Sequence, residues 1–483
     1  MSSSICARCL CRLQSSRTLP NSPALAGLGR SSFHSSATQY ALPAKKKPTG
    51  HKSQGPKFRE ARGATIKKKK KERPRPPAPG ERKTARTRIV LSNTNAMEVQ
   101  GLENLTKDNM LQSEKVGEML ALEGSVIDQL RDVKAFKPSQ NWNMFRRPAT
   151  LMRQESIQLG VEIDKISKEP RTIQRIITGD KKSGKSVQLL QAMSMAFLNK
   201  WIVINVPEAQ DYTINHSAYA PAPGGEDEQL YVQPQLASDL LTRVVAANGP
   251  ILHKLPVAQD HSASKLPLSK KMTLKDLANL GSEEVSIAWP TWQALWKELN
   301  SKSTGKTGIP PVLFAVDSID HWFDMTKYRS SDFSPIHAHQ FLFIRQFMQL
   351  LFHTPAPGLA NGGMILAATS GSNNPLVPSF HILLRQLVAR ANGLNMTDSD
   401  FPLPKPYQKV DQRVLDLFRG SEATEVQELK GLTQPEAKGL LEYFARSGVL
   451  KEALTDEKIR EKWTLSGGGI VGELTKFGSR VRV

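Results

Sequence analysis

Eight consecutive residues raise the question of chemistry: Gly179, Asp180, Lys181, Lys182, Ser183, Gly184, Lys185 and Ser186. Their spacing, Gly-x4-Gly-Lys-Ser, is that of a loop that cradles phosphates. Gly179 and Gly184 allow backbone angles and a close approach that a side chain would block. The loop amides and the start of the following helix aim partial positive charge at an anion. Lys185 is placed to reach the β- and γ-phosphates of a nucleotide, and the Ser186 hydroxyl to ligate Mg²⁺.

Such a loop works only between a strand and a helix, and the flanking residues supply both. Ile173–Ile177 is a short β-rich run, 187–198 has helical spacing, and 201–206 reads as a second apolar strand. A metal-side acid is expected at the end of a further buried strand. Pro311-Val-Leu-Phe-Ala-Val-Asp317 fits, with Asp317 at the carboxyl end, where open α/β sheets bind ligands. It would hold Mg²⁺ directly or through a water. A fourth run, 363–369, leads into a polar turn whose Ser370 and Asn373 are candidates for sensing the terminal phosphate, an ordinary polar turn being the equal alternative.

The machinery for turnover is thin. Ser318 stands where hydrolysing relatives of this layout place a glutamate, and Asp320 is wrongly spaced for a direct replacement. No arginine finger can be picked out, and Asn199-Lys200-Trp-Ile lacks the aspartate of a guanine-reading motif. No catalytic residue is assigned. These residues leave the base open between guanine and adenine, and they point to slow turnover at most.

The elements around the loop divide the chain into segments. Residues 95–150 read as a helical N-terminal segment, on the loose three-to-four spacing of Leu102, Leu105, Met110, Val116, Leu120, Val126, Leu130 and Val133. Trp142 and Phe145, beside Arg146 and Arg147, read as anchors of a linker to its own domain rather than as base-stacking groups. Residues 151–400 form the phosphate-loop domain, an α/β fold with a parallel sheet and flanking helices. Within it, 207–230 is a long connection, 255–285 a polar insertion, and Trp289, Trp292 and Trp296 a core-facing helical stripe. Residues 401–483 form a smaller module. Thr433 caps a helix that stops at Gly448, and Ser466-Gly-Gly-Gly469 is read as the turn of a hairpin, giving a winged-helix-like pattern.

The N-terminus is different in kind. Residues 1–59 contain no Asp or Glu, and Arg8, Arg12, Arg17 and Arg30 are interleaved with serines and apolar residues. That composition marks a mitochondrial transit peptide, read over 1–45. Residues 46–94 form a basic, proline-rich arm with too much like charge to fold alone. The net charge of +21 favours a polyanionic partner, and much of the excess precedes Arg88. All three cysteines lie in the leader, at Cys6, Cys9 and Cys11, so a disulfide framework is excluded once the leader is removed. No run is long and apolar enough to span a bilayer, so no membrane insertion is expected.

Taken together, the loop Gly179–Ser186, the strand Trp201–Val206 with Pro207, the tyrosine-rich stretch 211–219, the run ending at Asp317 and the basic leader resemble the death-associated protein three family of mitochondrial small-subunit ribosomal proteins, in its fungal form. The resemblance covers most of the chain after residue 95. It implies an AAA-like P-loop fold, a bound guanine nucleotide (GTP or GDP) with Mg²⁺, residence in the matrix mitoribosome, and contact with small-subunit ribosomal RNA and neighbouring ribosomal proteins. It carries the phosphate contacts to Gly179–Ser186 and the metal-side acid to Asp317. The competing expectation is an active AAA-type ATPase or GTPase of the matrix that acts in assembly or remodelling. A DNA-binding regulator is a weaker third.

Overall fold

The computed structural model describes residues 89–222, 229–264, 266–269, 271–302, 308–353, 358–371 and 375–479. The leader, the arm up to residue 88 and Asn373 lie outside the described residues.

A five-stranded parallel sheet organises the chain. Its strands are Thr172–Gly179 (β1), Ile202–Val206 (β2), Val312–Asp317 (β3), Gly363–Ala368 (β4) and Thr424–Leu429 (β5). Their order across the sheet is β5-β1-β4-β3-β2. Ala368 is in register with both Ile177 and Asp317, so the carboxyl ends of β1, β4 and β3 lie side by side.

Helices cover both faces. Gly124–Asp132 (α1), Gln154–Lys168 (α2) and Lys185–Leu198 (α3) pack on one. Pro234–Leu252 (α4), Leu274–Glu283 (α5), Ala288–Leu299 (α6), Leu342–Phe352 (α7) and Pro378–Ala391 (α8) pack on the other. Alternate strand residues enter the two cores: Phe314 and Val316 go to the α4–α8 side, Leu313 and Ala315 to the α1–α3 side. Burial on both faces is why the central strands read as unbroken apolar runs. Edge strand β5 is mostly polar by contrast. Its Glu425 and Glu162 of α2 both pair with Arg175 of β1, a guanidinium that is only 4% exposed.

Trp292 and Trp296 are buried as their spacing indicates. Phe145 stacks on Phe444 and meets Tyr443 at a tilt, and Trp142 is buried against Phe136, so the aromatic linker anchors to its own fold. No helix among the described residues is long and apolar enough to cross a membrane.

Four expectations are corrected. Residues 97–136 hold one α-helix, α1, with short 3-10 turns and the strand Met119–Ala121, which pairs antiparallel with Ala149–Leu151. The spacing there reflects turns packing against α2, where Met110 lies on Gly160, not a continuous helix. The supposed insertion 255–285 contains α5, whose Leu274, Leu277 and Ala278 are buried in the main core. The fifth strand of the sheet, 424–429, comes from beyond residue 401, so the main fold continues into the segment read as a separate module.

Finally, the C-terminus is not winged. After the short helix Gln412–Asp416 (α9) and β5, it consists of Gln434–Arg446 (α10), Asp456–Leu465 (α11) and Val471–Ser479 (α12). The glycines after Ser466 turn one helix into the next, with φ of 75°, 77° and 85° at Gly467, Gly468 and Gly469. No hairpin follows them among the described residues, because Val471, Leu474 and Gly478 recur at helical spacing and pack on Phe444 and its neighbours.

Candidate phosphate-binding site

The loop joins the carboxyl end of β1 to the first turn of α3, so it lies at a helix N-terminus with its unpaired amides. Gly184 sits at the N-cap with φ 105° and Gly179 has φ 136°, both in the region that side chains avoid. A Cβ on Gly179 would lie 2.4 Å from the Leu429 carbonyl oxygen. The Ser183 hydroxyl is buried with no hydrogen-bond partner among the described residues. A glycine-bounded loop with a buried, unsatisfied hydroxyl suits a phosphate group.

Lys185 is 6% exposed, and its ammonium donates to the carbonyls of Gly179 and Asp180, each at 2.8 Å. Burial lowers its pKa, and the nearby carboxylates of Asp320, Asp317 and Asp180 only partly offset this. An incoming phosphate would supply the missing countercharge. Lys181 and Lys182 are exposed at the loop apex, and Asp180 is exposed beside them. Ser186 is half-buried in the first turn of α3.

The other predicted residues come in from neighbouring strands. Asp317 closes β3 and is 5% exposed. One of its oxygens accepts the Ser318 amide at 2.8 Å, and the other lies 2.5 Å from Lys137 Nζ. Lys137 also pairs with Glu208 at 2.9 Å. Burial would lower the pKa of Lys137, but the two carboxylates outweigh it and raise the value. Ser370 lies just past β4, between the other two strand ends, and donates its amide to Asp320. Gly371 packs so close to the loop that a Cβ there would meet Lys181 Cα at 2.8 Å. The structure thus brings Gly179–Ser186, Asp317 and Ser370 to one end of the sheet.

Sequence reasoning set Asp320 aside on spacing. The 3-10 turn Ile319–Phe323 brings it back, 2% exposed and near Lys185. Burial, with a smaller contribution from Asp317, pushes its carboxyl up to about 6 against the pull of the Ser370 amide and Lys185. Three further groups carried no signal. Lys137 comes from the segment after α1. Arg153, at the start of α2, is buried and donates to the Ser183 carbonyl at 3.2 Å and the Lys430 carbonyl at 3.0 Å. Glu473 of α12 pairs with Lys182 at 2.8 Å, and the Gly472 amide donates to the Lys182 carbonyl at 3.0 Å. The outer side of the loop is therefore braced by the C-terminal helices. Among the described residues no cluster of three or more His, Cys, Asp or Glu has metal-site geometry.

Residues 150–477 match the family described as mitochondrial ribosomal death-associated protein 3. The chain is similar over nearly its whole length to the small ribosomal subunit protein mS29 of Neurospora crassa, with 36% identity over 478 residues that span 99% of this chain and 98% of the relative. The mS29 of Schizosaccharomyces pombe is 26% identical over 74% of this chain and 70% of its own. That of Mus musculus is 20% identical over 50% and 62%. A family match through most of the folded region and a full-length relative agree: the chain belongs to the mitochondrial ribosomal death-associated protein 3 family.

Proposed function

We propose that this chain is a structural protein of the small mitoribosomal subunit in the matrix that holds a guanine nucleotide in an AAA-like P-loop fold and turns it over slowly or not at all. Family membership supports the ribosomal part, since the matched relatives are named for the small subunit. The single observation that carries the nucleotide part is the loop itself, which combines a left-handed Gly184 at a helix N-cap, a buried Lys185 and an unsatisfied Ser183 hydroxyl. Ser186 is the residue of that loop suited to a metal that accompanies the phosphates.

One observation favours slow hydrolysis as a second reading. Asp320 is a buried carboxylate near Lys185, in reach of a water-orienting role. Its bond to the Ser370 amide argues that it mainly holds the tip of β4.

The test is nucleotide retention. Purified full-length protein, denatured and analysed for released small molecules, should yield guanine nucleotide in near-stoichiometric amount. Lys185→Ala should lose most of it and also lose the rise in Tm on adding GDP, since a ligand stabilises only the state that binds it. Equal retention in the two proteins, or none in either, would sink the nucleotide reading.

A further inference from the structure

Asp317 is already occupied. Its carboxylate sits at the tip of β3, where the resemblance places a Mg²⁺ ligand, yet one oxygen accepts the Ser318 amide and the other contacts the Lys137 ammonium. The same ammonium bridges to Glu208, so one half-buried cation serves two carboxylates from different elements. The side chains of Lys137 and Asp317 are 18% and 7% exposed, and charge interactions of that kind are weakly screened.

The pair is also preorganised. The Lys137 amide donates to Gln140 Oε1 at 2.8 Å, and Phe136 and Trp142 on either side are buried edge to face at 5.3 Å. Asn205 of β2 donates to the Val133 carbonyl at 2.8 Å, which ties the approach to the sheet. These contacts fix the backbone that carries Lys137, so mainly its side-chain rotamers are left to order when the ammonium meets the acid. A divalent ion on the same carboxylate oxygen would sit beside this ammonium, and Mg²⁺ gives up its own water shell reluctantly. The geometry at Asp317 therefore does not fit a metal ligand.

We propose that Lys137 is the resident cation of this site: its ammonium supplies at Asp317 the positive charge that a divalent metal supplies in metal-dependent nucleotide sites, so nucleotide is retained with little need for Mg²⁺. This rests on the nucleotide reading above and adds how its charge is balanced. It also gives a physical reason for slow chemistry, since an ammonium on a short tether neutralises charge without presenting an ordered water.

The experiment uses the full chain as wild type, Lys137→Gln, Lys137→Arg and the double variant Lys137→Gln/Asp317→Asn. Two quantities are measured: the affinity for fluorescently labelled GDP in Mg²⁺ and in EDTA, and Mn²⁺ binding by electron paramagnetic resonance without nucleotide. Wild type should change GDP affinity by less than about threefold on removing Mg²⁺, whereas Lys137→Gln should become dependent on it by about tenfold or more. Lys137→Gln should gain a Mn²⁺ site that the double variant lacks. Lys137→Arg keeps the charge and should behave as wild type, which separates the charge from a general loss of folding. A wild-type protein that loses GDP tenfold in EDTA, or that binds Mn²⁺ as well as Lys137→Gln does, overturns the proposal. If Mn²⁺ binds only to Lys137→Gln while no variant binds GDP, the role of Lys137 at Asp317 stands and the nucleotide reading fails.

Discussion

At the scale of single residues, Asp320 shows what burial does to a carboxylate near a lysine. Loss of hydration disfavours its charged form more than Lys185 and the Ser370 amide favour it, so its pKa rises to about 6. A carboxyl whose folded value exceeds its unfolded one, near 4, takes up a proton on folding. The contribution of this group to stability is therefore greatest below pH 4 and is lost as pH rises through about 6. Asp320→Asn keeps an acceptor for the Ser370 amide and removes the buried charge. Relative to wild type it should gain stability between pH 5 and pH 8, by as much as about 3 kcal/mol at the upper end. Urea denaturation at the two pH values checks this, and an offset that does not change with pH would contradict the assignment. Spacing alone could not place Asp320 at the site, because a 3-10 turn after β3 is invisible in an apolar pattern. Lys137 and Arg153 were harder still, since their partners lie far away in sequence.

At the scale of elements, the C-terminal helices hold the N-terminal segment and the loop in one framework. Gly439, inside α10, packs so closely on residues 117–119 that a Cβ there would lie 1.7 Å from the Gly117 carbonyl oxygen. Alanine is the better helix former by about 1 kcal/mol, but the clash is with backbone, which cannot swing away. Gly439→Ala should therefore destabilise the protein, by roughly 1–3 kcal/mol or more, despite its higher helix propensity. A denaturation midpoint at or above that of wild type would show that α10 does not press on the 117–119 segment. The central strands and α3 were legible because sheets buried on both faces leave continuous apolar runs. Strand β5 was not, because only Thr424 and Leu429 at its ends are buried, while Glu425 pairs with Arg175 and Glu428 is exposed. The triple glycine after Ser466 signalled a turn correctly, but glycine supplies positive φ equally to a hairpin and to a break between helices. Only the spacing of Val471, Leu474 and Gly478 chooses between them.

At the scale of the whole molecule, charge is divided unevenly. Residues 1–88 contain 22 Lys and Arg against three acids, which leaves 44 basic against 42 acidic residues in the rest of the chain. The folded part is thus close to neutral, and attraction to a polyanion is concentrated in the N-terminal arm. In the proposed role the arm lies against ribosomal RNA, where binding rests on counterion release and weakens with salt. The folded part makes protein contacts, where apolar burial is not screened. The claim tested most directly is residence in the small mitoribosomal subunit. Matrix lysate, sedimented at moderate salt with Mg²⁺, should place this chain in the gradient fractions that hold small-subunit ribosomal RNA, and RNase digestion should release it from them. Migration of the chain away from that RNA, as a free protein or as a ring-sized oligomer, would contradict the account and favour a matrix ATPase or GTPase.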